Sequence, residues 1–147
     1  VAGTGDFTGD GYDDILWMNS ATRQVGIYDI DAGGLAWQSF GIAGAGYQVA
    51  GTGDFTGDGV DDILWMNAAT GRTGIYDMEP GGTYTWHDIV TASPGHRIAG
   101  TGDYTQDGHD DILWQNTSTG ETSLYDINQG QPAWISLGTP GQNFEIA

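Results

Sequence analysis

The run "VAGTGDFTGDGYDDILWMN" at 1–19 returns as "VAGTGDFTGDGVDDILWMN" at 49–67 and as "IAGTGDYTQDGHDDILWQN" at 98–116. A chain that repeats itself at a period of 48 or 49 residues builds one supersecondary unit several times over. Each unit must then bury its apolar surface against its neighbours. The units are 1–48, 49–97 and 98–145, and residues 146–147 look like the start of a further repeat.

Each unit reads as four short strands. The first is "VAGTGDF"; an acidic loop leads to the second, "DILWMN". A polar turn leads to the third, "VGIYDI", "TGIYDM" or "TSLYDI". The turns "DAGG", "EPGG" and "NQGQ" precede the fourth, around Trp37, Trp86 and Trp134. The strands are rich in Ile, Val, Leu, Tyr and Trp and are bounded by Gly, Asn and Asp. Helical periodicity is missing. The expected fold is therefore all-β: β-propeller blades of four antiparallel strands, three per chain. "DILW" is apolar at consecutive positions, as in a strand covered on both faces. Propellers usually have about four to eight blades. Three blades do not close a ring, so the expectation is that either the chain is a fragment of a longer protein or it associates with itself, as a homodimer of six blades or as a nine-bladed trimer.

Charge narrows the partners. The formal net charge is −17, from 20 acidic residues against three arginines and no lysine. Such a chain repels phosphate backbones and anionic membrane surfaces, so neither nucleic acid nor membrane insertion is expected. No cysteine is present, which excludes disulfides and thiolate metal sites.

Twelve of the 20 acidic residues lie in three copies of one loop. Counting Asp6 as position 1, oxygen side chains stand at positions 1, 3, 5 and 9, with glycine at 6. A hard cation binds in such a cradle of alternating oxygens around a sharp turn. Position 7 is Tyr12, Val60 or His109, so its backbone carbonyl is the donor that all copies share. Position 12 is Trp17, Trp65 or Trp114 where a helix–loop–helix calcium site has Glu, and the flanks are strands. Calcium suits these oxygens better than magnesium, which demands octahedral geometry, or zinc, which prefers His and Cys. Asp13, Asp61 and Asp110, at position 8, are expected to brace the turn from outside the ligand set.

The motif "DFTGDGYDDILW" closely resembles the FG-GAP/VCBS repeats of integrin-α-like propellers, whose pattern is D-x-[ND]-x-D-G-x-x-D. The resemblance runs through all three units. It implies a propeller of seven or so blades with one calcium ion per blade, three in this chain. The implied ligands in the first blade are Asp6, Thr8, Asp10, the Tyr12 carbonyl and Asp14. In the second they are Asp54, Thr56, Asp58, the Val60 carbonyl and Asp62. In the third they are Asp103, Thr105, Asp107, the His109 carbonyl and Asp111. Threonine at position 3 departs from the family pattern and weakens that ligand. An extracellular or cell-surface setting goes with this resemblance.

The ion is expected to staple the hairpin, its binding energy serving as folding energy. Catalysis is not expected, because the histidines do not recur at matching positions and no acid stands opposite the loop pairs. Propeller lectins resemble this repeat, which implies carbohydrate binding in pockets between blades. Trp37, Trp86 and Trp134 are the candidate stacking residues, with Tyr47, His96, Arg97 and Phe144 from the variable stretches 38–48, 87–97 and 135–145. The alternatives are a protein-interaction or adhesion module using the turns at 31–36, 79–85 and 128–133, and a symmetric chain made for propeller assembly with calcium as its only ligand.

Overall fold

The computed structural model describes residues 1–31, 33–127 and 133–140. Three four-stranded antiparallel sheets account for every regular element among them, and no helix forms. The first sheet holds β1 (Gly3–Gly5), β2 (Asp14–Met18), β3 (Gln24–Asp31) and β4 (Gly34–Ile42) in sequence order. The second holds β5 (Tyr47–Gly53), β6 (Asp62–Asn67), β7 (Arg72–Glu79) and β8 (Thr83–Thr91). The third holds β9 (His96–Gly102), β10 (Asp111–Asn116), β11 (Thr122–Asp126) and β12 (Ala133–Gly138). Up-and-down sheets of this kind are consistent with propeller blades. The inner strands β5 and β9 begin at Tyr47 and His96, two residues ahead of the sequence repeat boundaries.

The second turn of each unit is built the same way. The Oδ1 atoms of Asn19, Asn67 and Asn116 accept the backbone N–H groups two and three residues on. Gly71 and Gly120 then take positive φ, and in the first unit Arg23 occupies that left-handed position at φ 64°.

The consecutive apolar residues of "DILW" divide between the two faces of the sheet, as the pleat requires. Leu16 points toward the following sheet, and Ile63 and Trp65 point back toward the preceding one. All three meet Phe7, Ile27 and Val60 in one core. The seam between the second and third sheets repeats this, with Phe55, Leu64 and Ile75 against Ile112, Trp114 and Tyr125. The core therefore lies between the sheets, as two layers. Burying each of these large side chains stabilises the stack by about 1.5–3 kcal/mol.

Candidate ligand clefts and acidic loops

The acidic loop folds around its own carboxylates. Asp6 Oδ1 and Oδ2 accept the N–H groups of Asp10 (3.1 Å) and Gly11 (2.8 Å), and Asp10 Oδ1 accepts from Tyr12 (2.9 Å). Asp54 with Asp58, and Asp103 with Asp107, repeat the pattern. Short carboxylates bonded forward to their own backbone are what hold a glycine-rich turn of this length.

Position 9 lies deeper. Asp14, Asp62 and Asp111 are fully buried. Asp14 accepts from Phe7 N–H at 3.0 Å and Ile30 N–H at 2.9 Å, so it ties the loop to β3. Asp62 accepts from Phe55, Thr56 and Met78, and Asp111 from Tyr104, Thr105 and Ile127. Burial pushes the Asp62 carboxyl up to about 7, against the Met78 N–H and with the nearby Asp77 charge. Asp14 and Asp111 are raised for the same leading reason.

Position 8 joins neighbouring sheets. Asp61 Oδ2 accepts Asp6 N–H at 2.8 Å, and Asp61 N–H donates to Asp6 O at 2.9 Å. Asp110 N–H donates to Asp54 O at 2.8 Å. Spacing within one loop placed these aspartates as braces of their own turn; the structure shows that they reach the preceding unit. Burial raises the carboxyls of Asp61 and Asp110, with neighbouring aspartates adding to the effect.

For a cation, the loops offer a divided donor set. Thr8 Oγ1 and Thr105 Oγ1, at position 3, are buried and find no hydrogen-bond partner, which fits a hydroxyl held ready for a hard cation. Asp6 and Asp10 keep free lone pairs beside it. The position-9 carboxylates turn to backbone N–H groups instead, and among the described residues no three acidic or histidine side chains gather closely enough to hold a metal ion. His109 packs its ring over Gly57 of the preceding sheet.

A second recurring feature lies on the outer half of each sheet. Cross-strand register sets Tyr28 opposite Trp37, Tyr76 opposite Trp86 and Tyr125 opposite Trp134. Their rings meet edge to face at centroid separations of 5.1, 5.8 and 4.9 Å. On the second sheet Tyr84 stacks on Tyr76 at 4.1 Å and Tyr47 meets Trp86 edge to face at 5.6 Å. Glycine makes room: a Cβ at Gly26 or Gly74 would collide with the ring of Trp37 or Trp86.

Two clefts open where sheets adjoin. The first, of about 430 Å³, lies between Ala43 and Gly44, which follow β4, and Tyr47, Trp65, Tyr76, Tyr84 and Trp86 of the second sheet. Arg72 stands in its lining and makes a two-pronged pair with Asp88 at 2.6 and 2.7 Å. The second, of about 470 Å³, sets Val90, Thr91 and Ala92 at the end of the second sheet against His96, Ser123 and Trp134 of the third, with Glu121 beside them. On the first sheet, Trp17, Tyr28 and Trp37 line an open hollow of about 430 Å³.

Of the residues singled out from sequence, Trp86 and Tyr47 share the first cleft, and Trp134 and His96 share the second. Trp37 lies on the open hollow. Arg97 instead donates to Gln115 Oε1 at 3.0 and 2.7 Å. Phe144 lies outside the described residues, as do the turn at 128–132, residues 146–147 and the end of the third unit. Sequence reasoning missed Arg72 and Glu121, and named Tyr84 only within the turn at 79–85 of the interaction-module alternative. Its available signal was that each varies between units at a strand end, where a scaffold requirement would have kept it constant.

A stack of four-stranded sheets with clefts at the seams is consistent with the blades of a β-propeller-type module. Residues 54–114, from the second acidic loop through Trp114, match the family model of the FG-GAP-like repeat. Comparison with curated proteins gives no match. Comparison with solved structures gives none either.

Proposed function

We propose that this chain is a calcium-stabilised carbohydrate-binding module, with sugars held in the clefts between adjacent sheets. The observation that carries the reading is the first cleft. Its wall of Tyr47, Tyr84 and Trp86 rings offers flat apolar faces beside the Arg72–Asp88 pair. Sugar rings have an apolar face that lies on aromatic side chains and a rim of hydroxyls that hydrogen-bond to charged forks. A cleft of this size suits a mono- or disaccharide. The second cleft repeats the plan with Trp134, His96 and Glu121. Binding is the role, without catalysis, in an extracellular or cell-surface setting where calcium is abundant.

Calcium in the loops would be held by Asp6, Thr8, Asp10 and the Tyr12 carbonyl, and by the matching residues of the other two units. The support is the unpartnered Thr8 and Thr105 hydroxyls together with the concentration of negative charge. A bound cation supplies the positive charge that the loops otherwise lack.

The test is a glycan array probed with labelled protein in calcium, alongside Trp86→Ala and Trp134→Ala. Binding to one sugar class is expected, weakened about tenfold or more by each substitution while circular dichroism is unchanged. Silence across the array by a folded, calcium-loaded protein overturns the carbohydrate reading.

A further inference from the structure

We propose that the cleft between the second and third sheets selects an amino sugar and seats its protonated amine against Glu121. The proposal rests on the carbohydrate reading above and adds which sugar the second cleft prefers.

The two clefts share one plan and differ in charge. Ala43 and Ala92, Tyr47 and His96, and Trp86 and Trp134 stand at matching places in successive units and line the first and second cleft respectively. The stretch "TGRTGIYD" at 70–77 returns as "TGETSLYD" at 119–126, so Glu121 stands where Arg72 stands. Cross-strand register sets Asp88 opposite Gly74, and Ser136 opposite the matching Ser123. The carboxylate that completes the first cleft's fork is thus replaced by a hydroxyl in the second.

The consequence is a change of sign. Arg72 and Asp88 neutralise each other at 2.6 and 2.7 Å. Glu121 is exposed and makes no ion pair among the described residues. Arg97, on the same sheet, is held by Gln115 instead. The second cleft therefore carries an uncompensated negative charge. Its other polar groups also accept. His96 Nδ1 lies 3.0 Å from Ser93 O. A carbonyl oxygen only accepts, so Nδ1 carries the proton, and the neutral imidazole keeps Nε2 as an acceptor. The hydroxyls of Ser123 and Ser136 accept as well as donate. Trp134 supplies an indole face in the same lining.

Such a wall fits a ligand with donors, a positive charge and an apolar face. A pyranose bearing a protonated amine has all three. Its ammonium brings three N–H donors, and a bond between ionised partners is stronger than one between neutral groups. The same charge is attracted to the face of an indole. The formal net charge of −17 draws cationic ligands toward the chain as a whole. An N-acetylated sugar keeps the ring and loses the charge. The first cleft's fork gives sugar hydroxyls both donors and acceptors but offers an ammonium no net attraction.

Nuclear magnetic resonance of the indole N–H groups of Trp86 and Trp134 reads the two clefts separately. At neutral pH and in calcium, glucosamine or galactosamine should shift the Trp134 signal saturably. The N-acetylated form of the same sugar should need about tenfold more, or beyond, for the same shift. Trp86 should show no preference for the amine. Glu121→Gln keeps the size of an exposed side chain and should abolish the preference at Trp134 while leaving the response to the N-acetylated sugar unchanged. Equal responses of Trp134 to the amino and N-acetylated sugars, or a preference that survives Glu121→Gln, overturn the proposal and leave the carbohydrate reading standing. The same preference at Trp86 overturns it too, because Arg72 stands there. So does ethanolamine binding as tightly as either hexosamine, since the ring would then contribute nothing. A folded chain that responds to no sugar at either tryptophan fails both the proposal and the carbohydrate reading.

Discussion

The same residue type does three jobs within one loop, and depth decides which. Asp6 and Asp10 lie near the surface and shape the turn; Asp61 crosses to the neighbouring sheet; Asp62 is fully buried and holds three backbone N–H groups. A buried acceptor is costlier to lose than an exposed one, because its donors are left unsatisfied. Asp62→Asn leaves an amide facing N–H donors and should cost about 2–3 kcal/mol in urea unfolding. Asp58→Asn, at the exposed turn, should cost under about 1 kcal/mol. Equal costs would contradict this division of roles. A pH dependence follows from burial. A carboxyl raised to about 7, as Asp62 is, binds its proton more readily folded than unfolded. Stability then rises as pH falls through about 7 toward the ordinary value of 3.8. Asp14, Asp61, Asp110 and Asp111 shift the same way. In chelator, the melting temperature should climb between about pH 8 and about pH 5. A steady fall over that interval would be incompatible with this burial.

At the scale of the element, the strands were legible and the seams were not. Period, turn residues and the apolar runs identify four strands per unit, and the structure has them, with Trp37, Trp86 and Trp134 on the outer strand. The bond from Asp61 to Asp6 spans 55 residues, and no spacing inside one loop reveals it. Arg72 with Asp88 pairs two adjacent strands across a register shift between Thr73 and Gly74, which pattern does not locate. The aromatic pairs depend on that same irregularity and on the small residue beside it. Gly26 and Gly74 recur, and Ser123 takes the position on β11, so little more than a hydroxymethyl group is tolerated there. Gly74→Val should push Trp86 off its strand, costing about 1–3 kcal/mol of stability by overpacking. Ser123→Gly on the third sheet should be nearly neutral. Thermal unfolding of the pair checks both, and a neutral Gly74→Val would mean that the ring does not need the strand's bare backbone.

For the whole molecule, stability and ligand clefts have one origin, the docking of each sheet on the one before. Crowding twelve aspartates at these seams opposes docking unless cations or protons intervene. Removing calcium at neutral pH should therefore lower the melting temperature by several degrees, and readdition should restore it; no change on exhaustive chelation would remove the metal from the account. The docking itself is read most directly by residue-resolved amide exchange. The Asp61 and Asp110 amides, which donate to the preceding sheet, should exchange slowly, while the Tyr12 amide, bonded only to Asp10 within its own exposed loop, should exchange fast. Fast exchange at both Asp61 and Asp110 in a folded protein would mean that the sheets do not dock in series, and the clefts between them would not exist in solution.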